Sequence, residues 1–220
     1  MRVLVACEWS GVVRTAFRER GHDAYSCDLL NTPGNSPYHI KGDVLKVLDQ
    51  EWDLMIAHPP CTHLAVSGAL WFKDKEDEQK AALEFVQRLM DAPIPRICIE
   101  NPVSVISTYI RKPDQIIQPY EYGEDASKKT CLWLTNLPPL VPTERVHPRI
   151  VVMNGKVYKR WANQTDSGQN RLGPSEDRAQ QRGKTYKGIA KAMAEQWGNL
   201  DLIKEISKRR EAALRRLAER

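Results

Sequence analysis

The chain has 220 residues, 41% of them hydrophobic and 28% charged, which is enough to bury one large core. No apolar run approaches the roughly 18 residues that a membrane-spanning helix needs. The first five residues have the pattern of a strand rather than of a signal peptide, so we expect a cytoplasmic protein without a membrane segment. The five cysteines are scattered and odd in number, which argues against a disulfide framework.

The net charge of +5 is unevenly distributed. Residues 1–144 carry 15 Lys and Arg against 20 Asp and Glu, a net charge of −5. Residues 145–191 carry 11 against 3, a net charge of +8, and residues 200–220 carry 7 against 4, a net charge of +3. A basic block of this kind is typical of a surface that binds nucleic acid, although a solvated surface without a partner has the same composition.

A short turn joins the first predicted strand to the first predicted helix. Residues 2–6 predict a strand, and residues 12–20 have the apolar spacing of a helix. The turn between them contains the small residues Ser10 and Gly11, which predict open amides at the start of the helix. Such a turn can receive a nucleotide-like cofactor, but the pattern lacks a full GxGxxG and is weak by itself.

Two acidic residues lie at the ends of the next predicted strands. A strand over residues 23–27 leads to Asp28, and a short strand over residues 38–44 contains Asp43 near its end. An acid about 20 residues after the first turn can bind the diol of a ribose, but Asp28 can equally cap a turn. Asp43 is suited to an adenine amino group if a cofactor lies across these strand ends.

A cysteine follows the buried strand that residues 52–56 predict. Pro59 and Pro60 come directly before Cys61, and two consecutive prolines force a stiff, extended exit from the sheet that fixes the direction of the thiol. In open α/β sheets, ligands bind beyond the carboxyl ends of the strands. The alternative is a Pro-Pro loop whose cysteine has no function.

A carboxylic acid follows the next buried strand. A charged segment over residues 73–78 and an amphipathic helix over residues 79–90 lead to a strand over residues 94–99, which delivers Glu100. Alone, Glu100 would be interpreted as a helix cap. Because Cys61 lies at the tip of another strand, the two residues together form a candidate catalytic site.

The rest of the chain predicts an antiparallel end to the sheet and a basic region. Residues 115–118 and 130–134 are predicted as antiparallel strands. Asn154 and Gly155 predict a type I′ turn between two further short strands. The polar segment over residues 163–182 is expected to be disordered without a partner.

This ordered set of motifs resembles the DNA cytosine carbon-5 methyltransferase family in a reduced form. The resemblance rests on Ser10-Gly11, Asp28, Asp43, Pro59-Pro60-Cys61 with Gly68, Glu100-Asn101-Pro102, and the last motif over residues 186–197. It covers roughly residues 1–135 and implies a Rossmann-like α/β fold that depends on S-adenosylmethionine. That fold has a mixed, mostly parallel sheet with an antiparallel strand pair near its C-terminal end. The function implied is DNA methylation, as in restriction-modification systems or phages.

The resemblance also implies roles for individual residues. Carbon 5 of cytosine is a poor nucleophile, so the Cys61 thiolate first adds to carbon 6, and Glu100 binds ring nitrogen 3 and the exocyclic amine. The target base must be flipped out of the duplex. The other residues that the resemblance places in the catalytic site are Asn101, Pro60 and Lys129. It also places Lys128, together with Lys129, near the base and its phosphate. The residues that it places beside the cofactor are Ala6, Glu8, Ser10, Gly11, Asp28, Leu29, Asp43, Val44 and Pro59.

The chain departs from the family at several positions. Ala6 stands where the family usually has an aromatic residue, Glu8 where it has glycine, and Thr62 where it has glutamine. Pro102 replaces a valine, and only residues 142–184 remain of the target-recognition domain. We expect this basic segment to contact phosphates, with strongly salt-dependent binding and low or short sequence specificity.

We expect a methyltransferase-like domain over residues 1–199, with a final helix over residues 185–198, followed by a basic helix over residues 200–220. A degenerate module that binds nucleic acid or a nucleotide without catalysis is the alternative function, and Glu8 in the cofactor turn favours it. A metal site formed by His58, Cys61 and His63 is disfavoured because the prolines interrupt the ligands and no fourth ligand is evident.

Overall fold

The computed structural model describes residues 1–66, 75–173, 175, 181 and 183–199. The strands of its main sheet are β1 (Arg2–Ala6), β2 (Asp23–Asp28), β3 (His39–Lys41), β4 (Leu54–Ala57), β5 (Ile97–Pro102), β6 (Gln115–Ile117) and β7 (Thr130–Thr135). Their order is β3-β2-β1-β4-β5-β7-β6. The strands β1 to β5 are parallel, and β7 is antiparallel to both β5 and β6. The predicted fold class is confirmed.

Helices cover both faces of this sheet. They are α1 (Val12–Arg18), α2 (Glu76–Met90), α3 (Ile106–Tyr109) and α4 (Lys187–Trp197). Alternate residues of β1 enter opposite cores, with Val3 and Val5 in the core that contains α1 and α4, and Leu4 in the core that contains α2. Burial on both faces explains why the parallel strands are continuous apolar runs. None of the helices among the described residues has the length and apolarity to cross a bilayer.

Gly188 lies where the first turn of α4 passes close to the chain at Tyr122. A Cβ at this position would overlap the carbonyl oxygen of Tyr122, and backbone atoms cannot turn aside as a flexible side chain can. We expect Gly188→Ala to lower the free energy of unfolding by about 1–3 kcal/mol, measured as a reduced Tm. Gly42→Ala is the matched control, because no heavy atom lies within 4 Å of a Cβ built there. Equal losses in the two variants would contradict the prediction.

The strand β5 differs most from its prediction. It spans Ile97–Pro102 rather than residues 94–99, so Glu100 and Asn101 lie within the strand and not beyond it. The reason is the pairing with β7, which continues from Ile97 opposite Thr135 to Pro102 opposite Thr130. Glu100 is therefore held by a sheet ladder on one side.

Other boundaries shift by a few residues. The helix α2 begins at Glu76, so the acidic residues 76–78 form its first turn, where the helix dipole favours negative charge. Residues 73 and 74 of the predicted charged segment lie outside the described residues, as do Gly68 and the whole predicted helix over residues 200–220. The helix α1 ends at Arg18, two residues before its predicted end, and β3 covers only His39–Lys41.

The basic region contains a separate two-stranded sheet of β8 (Arg149–Met153) and β9 (Lys156–Arg160). Asn154 and Gly155 between them have φ values of 50° and 71°, so the predicted type I′ turn is confirmed. The expectation of disorder over residues 163–182 is wrong for its described part up to residue 173. There Asn163 exchanges two hydrogen bonds of 3.0 Å with the backbone of Ser127, which fixes the start of the segment.

Candidate active site at the ends of β4 and β5

The candidate site begins where the parallel strands β4 and β5 end side by side. Ala57, the last residue of β4, lies opposite Ile99, so the chain after Ala57 leaves the sheet beside Glu100. The Asn101 side-chain amide donates a hydrogen bond of 2.8 Å to the carbonyl oxygen of Pro59. This bond ties the Pro-Pro turn to β5 and gives Asn101 a structural role in the loop.

Cys61 has an exposed side chain at this edge. Its carbonyl oxygen accepts hydrogen bonds of 3.1 Å and 2.9 Å from the amides of Leu64 and Ala65, which form a tight turn after the prolines. The amide of Val66 then donates to the carbonyl oxygen of Val103, beyond the end of β5. The loop that carries the thiol is thus attached to the segment that follows Glu100 as well as to the strand itself.

Glu100 is buried and bonded to His58. The Glu100 Oε2 and His58 Nδ1 atoms lie 2.8 Å apart, and the two side chains are 11% and 8% exposed. Burial alone raises the pKa of Glu100, but the hydrogen bond to His58 and the charges of Lys128 and His58 outweigh it, so that the pKa lies below its ordinary value. Glu100 is therefore a carboxylate with one oxygen fixed in place.

Polar atoms without partners are concentrated beside this pair. Five side-chain nitrogen or oxygen atoms in the described part of the chain are buried without a hydrogen bond, and three of them belong to His58, Asn101 and Ser104. They are His58 Nε2, Asn101 Oδ1 and Ser104 Oγ. Buried polar atoms are normally satisfied, and the exceptions concentrate where a ligand or water binds. The ends of β4 and β5 therefore contain three buried polar atoms that can form hydrogen bonds to a ligand.

The two lysines after β6 have different neighbours. Lys128 is half-buried and acts electrostatically on Glu100. Lys129 is exposed and acts on Cys131, whose pKa is raised by burial and by Glu100 and lowered by Lys129. Lys128 rather than Lys129 is thus the lysine whose charge acts on the candidate catalytic carboxylate.

The first turn does not have the open amides that its sequence predicts. Glu8 is 4% exposed, and its carboxylate accepts hydrogen bonds of 2.7 Å from the amide of Val13 and 3.3 Å from that of Arg14. The Ser10 hydroxyl donates to the same carboxylate at 3.3 Å. Gly11 has a φ of 71°, which allows the tight turn. The prediction of free amides is wrong because the chain supplies its own anion.

Asp28 and Asp43 both cap turns. Their Oδ1 atoms accept hydrogen bonds of 2.9 Å and 3.0 Å from the amides of Leu30 and Leu45. The other predicted cofactor residues lie at the same edge of the sheet, with Ala6 opposite Ala57 at the end of β1 and with Leu29 and Val44 next to the two acids. Leu29 is 72% exposed, whereas Val44 and Ala6 are buried.

The described residues contain no group of three His, Cys, Asp or Glu side chains that could hold a metal ion. His58, one of the three ligands considered in the disfavoured metal interpretation, is bonded through Nδ1 to Glu100. The three side chains of that interpretation are therefore not assembled as a metal site.

No protein-family model and no curated protein sequence matches the chain. One similar solved structure is described as that of a candidate DNA modification methyltransferase encoded within an E. coli prophage. It is 12% identical, with a TM-score of 0.45 over 66% of this chain and 52% of that chain. Another is the 16S rRNA methylase RmtB, 16% identical, with a TM-score of 0.35 over 61% of this chain and 55% of that chain. The chain spans about half the length of each, and at these scores neither likeness bears on function.

His58 is the site residue whose role the sequence did not reveal. The sequence offers His58 only as a ligand of the disfavoured metal site, whereas its contact with Glu100 joins residues 42 positions apart. The position of His58 could have indicated this role. A polar residue that follows a buried strand and precedes two prolines must lie at the edge of the sheet.

Proposed function

We propose that the chain is an S-adenosylmethionine-dependent DNA cytosine carbon-5 methyltransferase. The observation that supports the proposal is that β4 and β5 are parallel neighbours, with the exposed Cys61 in the loop after β4 and the buried Glu100, bonded to His58, at the end of β5. Addition to a pyrimidine requires an accessible nucleophile and a fixed acceptor for the ring's amine, and this edge of the sheet provides both.

In this proposal the Cys61 thiolate forms a bond to carbon 6, and the displaced electron pair makes carbon 5 nucleophilic. The Glu100 carboxylate accepts a hydrogen bond from the exocyclic amine and holds the base in place while negative charge develops on the ring. When bound, S-adenosylmethionine supplies the methyl group for carbon 5. A water molecule then takes the carbon-5 proton, the electron pair left at carbon 5 restores the ring double bond to carbon 6, and the bond between carbon 6 and sulfur breaks, which releases the methylated base and the Cys61 thiolate.

The acidic residues at or just after the ends of β1, β2 and β3 favour the binding of S-adenosylmethionine over that of a dinucleotide, which carries phosphates. Glu8 occupies the amides that would receive a phosphate, and Asp28 and Asp43 add two further carboxylates at the same edge. The described turn bonds of these two acids use Oδ1, which leaves Oδ2 of each for a hydroxyl or amine. A cofactor with a sulfonium cation and without phosphates suits this lining, so we propose Asp28 and Asp43 as its electrostatic support.

A direct test is to incubate the full chain with duplex DNA and S-adenosylmethionine labelled in its methyl group. We expect labelled 5-methyldeoxycytidine after digestion to nucleosides, identified by mass spectrometry. Single-stranded DNA and free deoxycytidine nucleotides serve as parallel substrates. Label on an amino group would assign a different target atom, and the absence of transfer to all three substrates would contradict the proposal.

The second candidate function is a methyltransferase-fold module that binds nucleic acid without catalysis. The observation that favours it is Glu8, because its carboxylate occupies the amides at the start of α1. Such a module would bind duplex DNA in the same experiment but transfer no methyl group. Binding and transfer measured on one preparation therefore separate the two functions.

A further inference from the structure

The hairpin of β8 and β9 has one apolar face open to solvent. We call this the ribbon face and define it by Ile150, Val152, Val157 and Lys159. Val152 lies opposite Val157, and Ile150 lies opposite Lys159, so the four side chains share one side of the ladder. Ile150 is 58% exposed, and Val152 and Val157 are each 67% exposed. Three β-branched residues together on an exposed strand pair are typical of a contact surface.

The opposite face of the hairpin is occupied. Arg149 donates hydrogen bonds of 2.6 Å to the carboxylate of Asp166 and 2.8 Å to the carbonyl oxygen of Gln164. Arg160 donates at 2.9 Å to the carbonyl oxygen of Asp166. These bonds hold the segment after the hairpin against its inner side. One of these bonds pairs the Asp166 carboxylate with Arg149, and the strands β8 and β9 themselves contain no Asp or Glu.

The charge around the ribbon face favours a polyanion. Lys159 lies on the face itself, and the exposed Lys156 lies beside the turn. Both belong to residues 145–191, whose net charge is +8. Apolar side chains flanked by lysines fit a DNA groove, where phosphates border the base edges. The major groove of B-DNA admits a two-stranded β-ribbon and presents the thymine methyl group to apolar side chains.

The hairpin is attached to the loop next to the candidate active site. Trp161, directly after β9, stacks on Tyr120 with a centroid distance of 4.2 Å and an interplanar angle of 12°. Asn163 then bonds to the backbone of Ser127, the neighbour of Lys128, whose charge acts on Glu100. A duplex that contacts the ribbon face is thus held by an element anchored beside the catalytic carboxylate.

We propose that the ribbon face enters the major groove beside the target cytosine and reads thymine methyl groups through Ile150, Val152 and Val157. The inference rests on the proposed function, because it assigns sequence recognition to an enzyme that modifies DNA. The sequence predicts that this basic segment contacts mainly phosphates, whereas the proposal adds contacts between the ribbon face and the bases. The bound partner is duplex DNA, and preference for particular sequences comes from the positions of thymine around the target.

The test compares thymine with uracil, which lacks only the methyl group. Duplexes preferred by the full chain are selected from a random pool, and each thymine is then replaced by deoxyuridine in turn. We expect the affinity for DNA to fall about fourfold when uracil replaces thymine at a contacted position, because one buried methyl-sized group contributes about that much to binding. In Val152→Ser/Val157→Ser, thymine and uracil duplexes should bind alike. Ile116→Ser is the matched control, since Ile116 is 54% exposed on β6, which belongs to the main sheet and not to the hairpin.

Three results would overturn the inference. In the first, the wild-type chain binds DNA but distinguishes thymine from uracil at no position. In the second, Val152→Ser/Val157→Ser keeps the wild-type thymine preference. In the third, sedimentation reveals a dimer that the double variant dissociates, so that the face joins two copies. Methyl transfer without thymine preference would leave the proposed function intact, whereas failure to bind any DNA would remove both proposals.

Discussion

Replacement of Cys61 by serine is expected to lower the rate of methyl transfer to DNA by roughly 10³-fold or more. The serine hydroxyl occupies nearly the same space, but its oxygen is far less nucleophilic than a thiolate at neutral pH. Because the Cys61 side chain is exposed, the substitution should leave the Tm unchanged. The measurement is the initial rate of 5-methyldeoxycytidine formation at saturating DNA and cofactor.

A trapping experiment makes this prediction specific for the sulfur atom. With 5-fluorocytosine in the duplex, carbon 5 carries fluorine in place of the departing proton, so the bond between protein and base should persist in a denaturing gel. We expect the adduct with the wild-type chain and not with Cys61→Ser. Cys7→Ser is the matched control, because burial raises the pKa of the Cys7 thiol and keeps it protonated. An adduct that survives in Cys61→Ser but disappears in Cys7→Ser would assign the nucleophile to Cys7.

Features determined by neighbouring residues could be predicted from the sequence. The apolar runs of the parallel strands, the end of β4 shortly before Pro59-Pro60 and the Asn154-Gly155 turn depend only on local residues, and their predicted structures agree with the observed ones. The antiparallel strand pair near the end of the sheet could also be predicted, since both strands are bounded by turn residues.

Features that depend on distant residues could not be predicted in the same way. The extension of β5 to Pro102 requires pairing with β7, which begins at Thr130. The burial of Glu8 results from its bonds to the amides of α1. The sequence indicates only that Glu8 stands where the family has glycine, not that its carboxylate bonds to these amides. Residues 163–173 have the composition of a disordered segment, but tertiary hydrogen bonds such as that between Asn163 and Ser127 hold them.

The second large effect is expected from the hydrogen bond between His58 and Glu100. His58→Leu removes the donor and leaves a buried carboxylate without its bond, so burial should raise the pKa of Glu100. We expect kcat/KM at neutral pH to fall by roughly 10- to 100-fold, the value of a charge-assisted hydrogen bond. His58→Gln keeps an N–H donor at the same position and should retain more of the activity.

The pH dependence distinguishes a positioning role from a loss of folded protein. A protonated Glu100 presents a donor to the cytosine amine, so activity should decline at acidic pH as Glu100 gains its proton. In His58→Leu this decline should move to higher pH, because the hydrogen bond that lowers the pKa of Glu100 is lost, and in His58→Gln it should move by less. A uniform loss at every pH, with the acidic decline unmoved, would show that His58 only supports the loop. Lys128 remains in both variants and acts on Glu100 in the same direction as His58.

The same bond predicts how the stability of the protein depends on pH. The native pKa of Glu100 is lowered, so its stabilising contribution is fully present above the pKa of the unfolded chain and is lost as pH falls through the native value. The difference in unfolding free energy between the wild-type chain and His58→Leu should therefore be largest near neutral pH and should shrink under acidic conditions. Urea unfolding at several pH values measures it. A difference that grows as pH falls would mean that Glu100 is protonated in the native protein, and the proposed acceptor for the cytosine amine would be lost.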